Sequence, residues 1–239
     1  MTSLTSLIAH YSHLHFGVPT ISIILSLARN PPANTSQIGR TSSPVIEDPR
    51  ITRLRMIFST DPVHARTIAW HAGQIIGISR YRPVHTPAET MRVFLAGVVL
   101  WGVAKWFVET RSIALANAWS SRLNEGEIVQ LDAISPSNSS SSFTSSPPSP
   151  APSSTSPSTG SGSSAGMPPL VAEWVKTGKG RATIRRDGEG PDVGQTQLCS
   201  DQGAKDVLHV VVCILGKMRI WGLGAEFRRV LEGMGDVGR

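Results

Sequence analysis

A chain of 239 residues holds one or two domains, and 40% apolar residues can build a real core once a long polar segment is set aside. The net charge of +6 comes from scattered Lys and Arg, with no run of five to eight basic residues, so an ordinary solvated surface is expected ahead of an acidic partner such as nucleic acid. Two distant cysteines, Cys199 and Cys213, exclude a disulfide framework and suit a reduced compartment; neither has the close paired ligands of a structural zinc site.

The chain begins with two short apolar patterns, Leu4 to Tyr11 and Ile21 to Arg29, which predict buried helices. Pro19 and Thr20 are expected to break the chain between them, and Pro31-Pro32 to stop the second. Asn30 to Asp48 reads as a loop and Arg50 to Phe58 as another short helix. Asp61-Pro62 then opens a long helix, because Asp caps well and Pro at the first helical position sacrifices no hydrogen bond. Ala65, Ile68, Ala69, Ala72, Ile75 and Ile76 follow at spacings of three and four, a stripe that faces a core. The small residues Ala69, Ala72 and Gly73 are expected to let a neighbouring helix approach closely, and Tyr81-Arg82-Pro83 to end the helix.

Thr86-Pro87-Ala88-Glu89 is a capping box. The Thr86 hydroxyl should accept from the Glu89 backbone N–H, and the Glu89 carboxylate should reach back to the Thr86 N–H. The following helix is apolar nearly all round from Val93 to Val103, which places it in the middle of the domain, and it continues more amphipathically from Arg111 to Arg122. Ser135 to Pro169 is almost only Ser, Pro, Thr, Gly and Ala and carries no charge, so a disordered insert is expected there. Its Ser-Pro pairs at 135, 146, 149 and 156 match proline-directed kinase sites, and an unmodified spacer fits them equally. Beyond it, Val171 to Thr177 predicts a short helix and Gly178 to Gly194 a loop. Asp206 to Met218 and Gly224 to Met234 predict two amphipathic helices, the second stopped by Gly233 and Gly235. No alternating strand series is visible, so the fold class is all-α. The expected organisation is a helical part over 1–134, an insert over 135–169 and closing helices of the same domain over 170–239.

Chemistry finds little footing. His10 and His13 share a helix face and His15 lies close, but no acidic or thiol ligand is near, so ordinary helix histidines are expected. His71 lacks a visible nucleophile or acid partner. Gly178-Lys179-Gly180 and Gly188-Glu189-Gly190 lack the context of a phosphate loop, and Trp221 reads as a packing anchor. Asp61, Glu89, Glu109 and Glu125 do not cluster as a magnesium-dependent helical enzyme requires. The expectation is therefore no enzyme, with no catalytic, cofactor-binding or metal-binding residue. No secretory signal is convincing, and Val93 to Phe107, at about fifteen residues, is shorter than the ~20 needed to span a bilayer.

Three stretches, in order, carry a resemblance. Leu7 to Asn30 has an HYxxLxxxVPxxxIxxLA pattern. Asp61 to Phe107 holds the words DPxxAR, WHAGQI and TPxE followed by an apolar run through LW. Trp174 to Gly235 ends in RIWGLGAEF and a final helix. Together they resemble the fungal-specific transcription factor regulatory domain, or middle homology region, over roughly 130 residues outside the loops and insert. The resemblance implies an all-helical, non-catalytic module of a nuclear regulator of RNA polymerase II genes. It implies co-regulators as partners, and a second copy of the chain is a further candidate. DNA contact and zinc would belong to an N-terminal finger or six-cysteine module whose ligands this chain lacks, as a fragment, a shortened gene product or a finger-less paralogue would. A membrane-associated helical protein, motivated by Val93 to Phe107 and Val207 to Leu215, is the alternative; a helical enzyme comes after it.

Overall fold

In a computed structural model of the chain, Asp61 and Thr86 start the two helices around which the rest assembles. The structure describes residues 3–15, 18–30, 48–107, 127–134, 167–186, 194–198, 200, 202–218 and 222–236. Residues 31–47 of the loop expected from Asn30 to Asp48, the continuation at 111–122, residues 135–166 of the insert expected over 135–169, and the readings of Glu109, Glu125, Gly188, Gly190, Cys199 and Trp221 lie outside these residues; the insert's last residue, Pro169, instead opens a helix.

The helices are α1 (Ser3–His15), α2 (Val18–Arg29), α3 (Pro49–Thr60), α4 (Pro62–Tyr81), α5 (Pro87–Gly102), α6 (Pro169–Thr177), α7 (Gly203–Lys217) and α8 (Leu223–Asp236). A single π-helical turn, Val103–Phe107, extends α5. The class is all-α, as expected. Helix α4 packs on α5, α5 on α7, α1 on α4, and α7 on α8, so α4 and α5 form the centre. One apolar cluster runs through residues on both sides of the Ser/Pro segment, from Leu14 and Leu27 through Ile75 and Val99 to Ile214 and Met234.

The caps work largely as the residue types require. The Asp61 carboxylate accepts from the His64 N–H at 2.9 Å, and the Thr86 hydroxyl from the Glu89 N–H at 3.2 Å. The return half of the box is replaced: the Thr86 N–H donates to Val84 O at 2.7 Å, and the Glu89 side chain turns inward. All six residues of the α4 stripe are at most 1% exposed.

Three details differ from expectation. Pro19 does not break the chain ahead of a helix; it occupies the second position of α2, where a missing N–H costs nothing. Helix α8 runs through Gly233 and Gly235 to Asp236. A small sheet also exists, in the order β1 (Ile128–Gln130), β2 (Arg181–Arg185) and β3 (Gln195–Gln197). β1 pairs parallel with β2, Val129 opposite Ala182, and β2 pairs antiparallel with β3, Ile184 opposite Thr196. Strands of three to five residues are too short to show alternation, and in β2 Ala182, Thr183 and Ile184 are all buried. The residues 178–186 read as loop are thus a turn and a central strand. Gly178 makes that turn possible by closing α6 in the left-handed region, φ 72°.

Candidate functional site

The unusual words of α4 are spent on holding the sheet and its neighbouring turn. Arg66, from DPVHAR, donates through Nε to Val175 O at 2.7 Å and through Nη2 to Lys176 O at 3.1 Å. These are last-turn carbonyls of α6, which have no partner within their own helix. Gln74, from WHAGQI, donates through Nε2 to Leu131 O at 2.7 Å and Ala133 O at 3.1 Å. Gly73 and Gly77 leave room for the same turn: a Cβ at Gly77 would stand 2.4 Å from Asp132 O, and one at Gly73 2.8 Å from Leu131 O. The small residues were expected to admit a helix; what Gly73 admits is the 131–133 turn after β1.

Arg80 completes the contact. Its guanidinium pairs with the Asp132 carboxylate, both side chains being nearly or fully buried, and its Nη2 donates to Arg185 O at 2.7 Å. Asp132 also accepts the Arg185 N–H at 3.1 Å and the Gln130 amide at 3.2 Å. The charge is therefore hydrogen-bonded from several sides, which is the condition for keeping an ion pair in a core. Sequence reasoning missed this cluster because Asp132 is separated from Arg80 by 52 positions.

A second polar cluster joins α1 to α4. His10 Nδ1 lies 2.9 Å from His71 Nδ1, and the His13 ring stacks on His71 with centroids 4.6 Å apart and planes 7° off parallel. The His10 ring meets Trp70 edge-on at 5.2 Å. Burial first, then repulsion from His13, lowers the His10 pKa to about 4. Burial first, then repulsion from His10 and His13, lowers that of His71 to about 3. Both rings are neutral at physiological pH. His10 and His13 were expected to share a face; their meeting with His71 was not expected. The His15 side chain lies outside the described residues.

No family model, no characterised protein and no solved structure matches this chain.

The remaining candidates stay apart. His209 and Cys213 face each other across one turn of α7, Nδ1 to Sγ 3.9 Å, on the outer side of the helix. Among the described residues, no group of three or more His, Cys, Asp or Glu is arranged to hold a metal ion. Glu89 is 1% exposed, and burial raises its pKa. The Ser79 hydroxyl and Val84 amide favour its charged form, but neither makes a well-formed hydrogen bond with it. Asp61 is a cap, and Gly178 and Gly180 take positive φ in a tight turn. Phe227, from the RIWGLGAEF ending, stacks on Phe94 of α5 with centroids 4.3 Å apart.

Proposed function

We propose that the chain is a regulatory and interaction module of a fungal zinc-finger transcription factor, acting in RNA polymerase II transcription in the nucleus without catalysing a reaction. One observation carries this reading: the three stretches bearing the resemblance pack on one another. Helix α1 lies on α4, Ile24 of α2 against Gly102 of α5, Val211 of α7 against Gly97 of α5, and Phe227 of α8 on Phe94. Their order in the chain thus corresponds to one core. Arg66, Gln74 and Arg80 serve carbonyls and a carboxylate of that core, which supports a packing role for the words that are most distinctive. In this reading DNA and zinc are engaged through a separate finger module. Co-regulators and a second copy of the chain are the direct partners, and no membrane is involved. Mapping the transcript and tagging its product test this together. An in-frame finger pair or six-cysteine cluster and a nuclear signal are expected; a transcript without either and a cytoplasmic product would contradict it.

One observation favours a membrane-associated reading. The apolar helix Pro87–Lys105 is 19 residues long with mean hydropathy 1.2, so the length argument against a span does not hold. Against it, 72% of that window is buried inside the fold, as in the core helix of a globular domain. Carbonate extraction separates the two: release into the supernatant is expected, and retention in the pellet would favour the membrane.

A further inference from the structure

We propose that α1 is a proton-sensitive strap, fastened to α4 by the His10–His71 imidazole pair and released when that pair ionises. The Nδ1–Nδ1 separation of 2.9 Å is a hydrogen bond, so one nitrogen donates and the other accepts, and at least one ring is neutral. Two protonated rings have no acceptor to share and place like charges side by side, with His71 buried and His10 half-buried. His13, stacked on His71, adds a third imidazole to the same seam.

Among the described residues, no carboxylate acts on the His10–His71 pair. The groups acting on the pair are the imidazoles themselves: His13 on both rings and His10 on His71. From α4 the neighbour is the Trp70 indole, which does not titrate. Helix α5 brings Arg92, whose guanidinium lies over the Tyr11 ring at 5.2 Å and adds only positive charge to this side. Helix α2 also touches α1, and its one charged side chain, Arg29, is again positive. No carboxylate among the described residues stabilises either imidazolium.

Helix α1 is suited to leaving. It packs chiefly on α4, with a minor seam to α2, and its apolar anchors are Leu7 and Leu14 while Ile8 is 44% exposed. The Trp70 indole N–H beneath it is buried without a hydrogen-bond partner, and release would give that donor water. The sign follows from the depressed pKa values, about 4 and 3 docked, against the reference of 6.5 when free. Docking is at full strength above pH 6.5 and weakens as pH falls toward 4. At pH 5.5 each ring that regains its free pKa weakens docking about tenfold.

Hydrogen–deuterium exchange of the full chain at pH 7.5 and 5.5, corrected for intrinsic rates, tests this. Protection of α1 should fall about tenfold or more relative to that of α5 and α7 at the lower pH. In His71→Phe the extra loss should shrink by about tenfold, since one titrating ring is gone while His10 remains; if that variant does not fold, His10→Gln, at a half-buried position, replaces it. Equal loss in α1 and α5 of the wild-type chain would overturn the proposal. So would an undiminished α1 effect in a folded variant.

Discussion

Replacing Gly77 by Ala tests whether the α4 glycines are there for the turn they touch. In a helix interior the change alone should stabilise by about 1 kcal/mol, since Ala is the better helix former. At Gly77 the new Cβ would stand 2.4 Å from Asp132 O, where ordinary contact begins near 3.4 Å, so the turn must retreat by about 1 Å. That turn is pinned by Gln74 on Leu131 O and Ala133 O and by the buried Arg80–Asp132 pair. Retreat weakens these bonds in a dry place, where each unmet polar group costs roughly 1–3 kcal/mol. The net expectation is destabilisation by about 3 kcal/mol, or roughly 6–12 °C in Tm for a domain of this size. Gly233→Ala is the internal control: it lies in α8 with nothing within 4 Å of the added carbon, and should gain about 0.5–1 kcal/mol. Urea unfolding followed by circular dichroism at 222 nm measures both. A Gly77→Ala chain as stable as wild type, or more so, would refute the reasoning, because helix propensity alone would then suffice.

Other consequences can be measured in the same assay. Asp132→Ala removes the buried carboxylate paired with Arg80 and should cost about 3–5 kcal/mol, visible as a lower urea midpoint. Thr86→Ala removes the acceptor for the Glu89 N–H and should cost about 1 kcal/mol; an unchanged midpoint would deny the cap. Glu89 has a raised pKa, so its ionisation opposes folding at neutral pH, and the contribution of its neutral form is complete only below the unfolded value of 4.5. The stability of Glu89→Gln relative to wild type should therefore be greatest at pH 7 and shrink as pH falls to 4; a gap independent of pH would contradict the burial of that carboxyl.

Local signals were readable where chemistry acts within a few residues. Asp61-Pro62 and Thr86-Pro87 mark helix starts because a cap and its N–H lie three residues apart. The α4 stripe identifies a core face because its period is that of a helix, and the run from Val93 to Val103 identifies the centre because it is apolar nearly all round. What escaped depends on distant partners. Arg80 and Asp132 have no mutual spacing rule, nor do His10 and His71, 61 positions apart. The sheet escaped because the middle three residues of β2 are all buried and its strands are too short for a period to show. Gly233 misled as a helix stop because α8 has enough anchoring in Phe227, Leu231 and Met234 to carry glycines through to Asp236. The half-formed capping box has a similar origin: Glu89 has the spacing to reach Thr86 but is packed inward instead.

The most direct measurement tethers the chain to DNA. Fused to an unrelated DNA-binding domain upstream of a reporter gene in fungal cells, the wild-type chain should change reporter output relative to the DNA-binding domain alone. The Asp132→Ala fusion, expressed to the same level, should lose that effect with its core. Output identical to the DNA-binding domain alone, from a folded and nuclear wild-type fusion, would contradict a regulatory module.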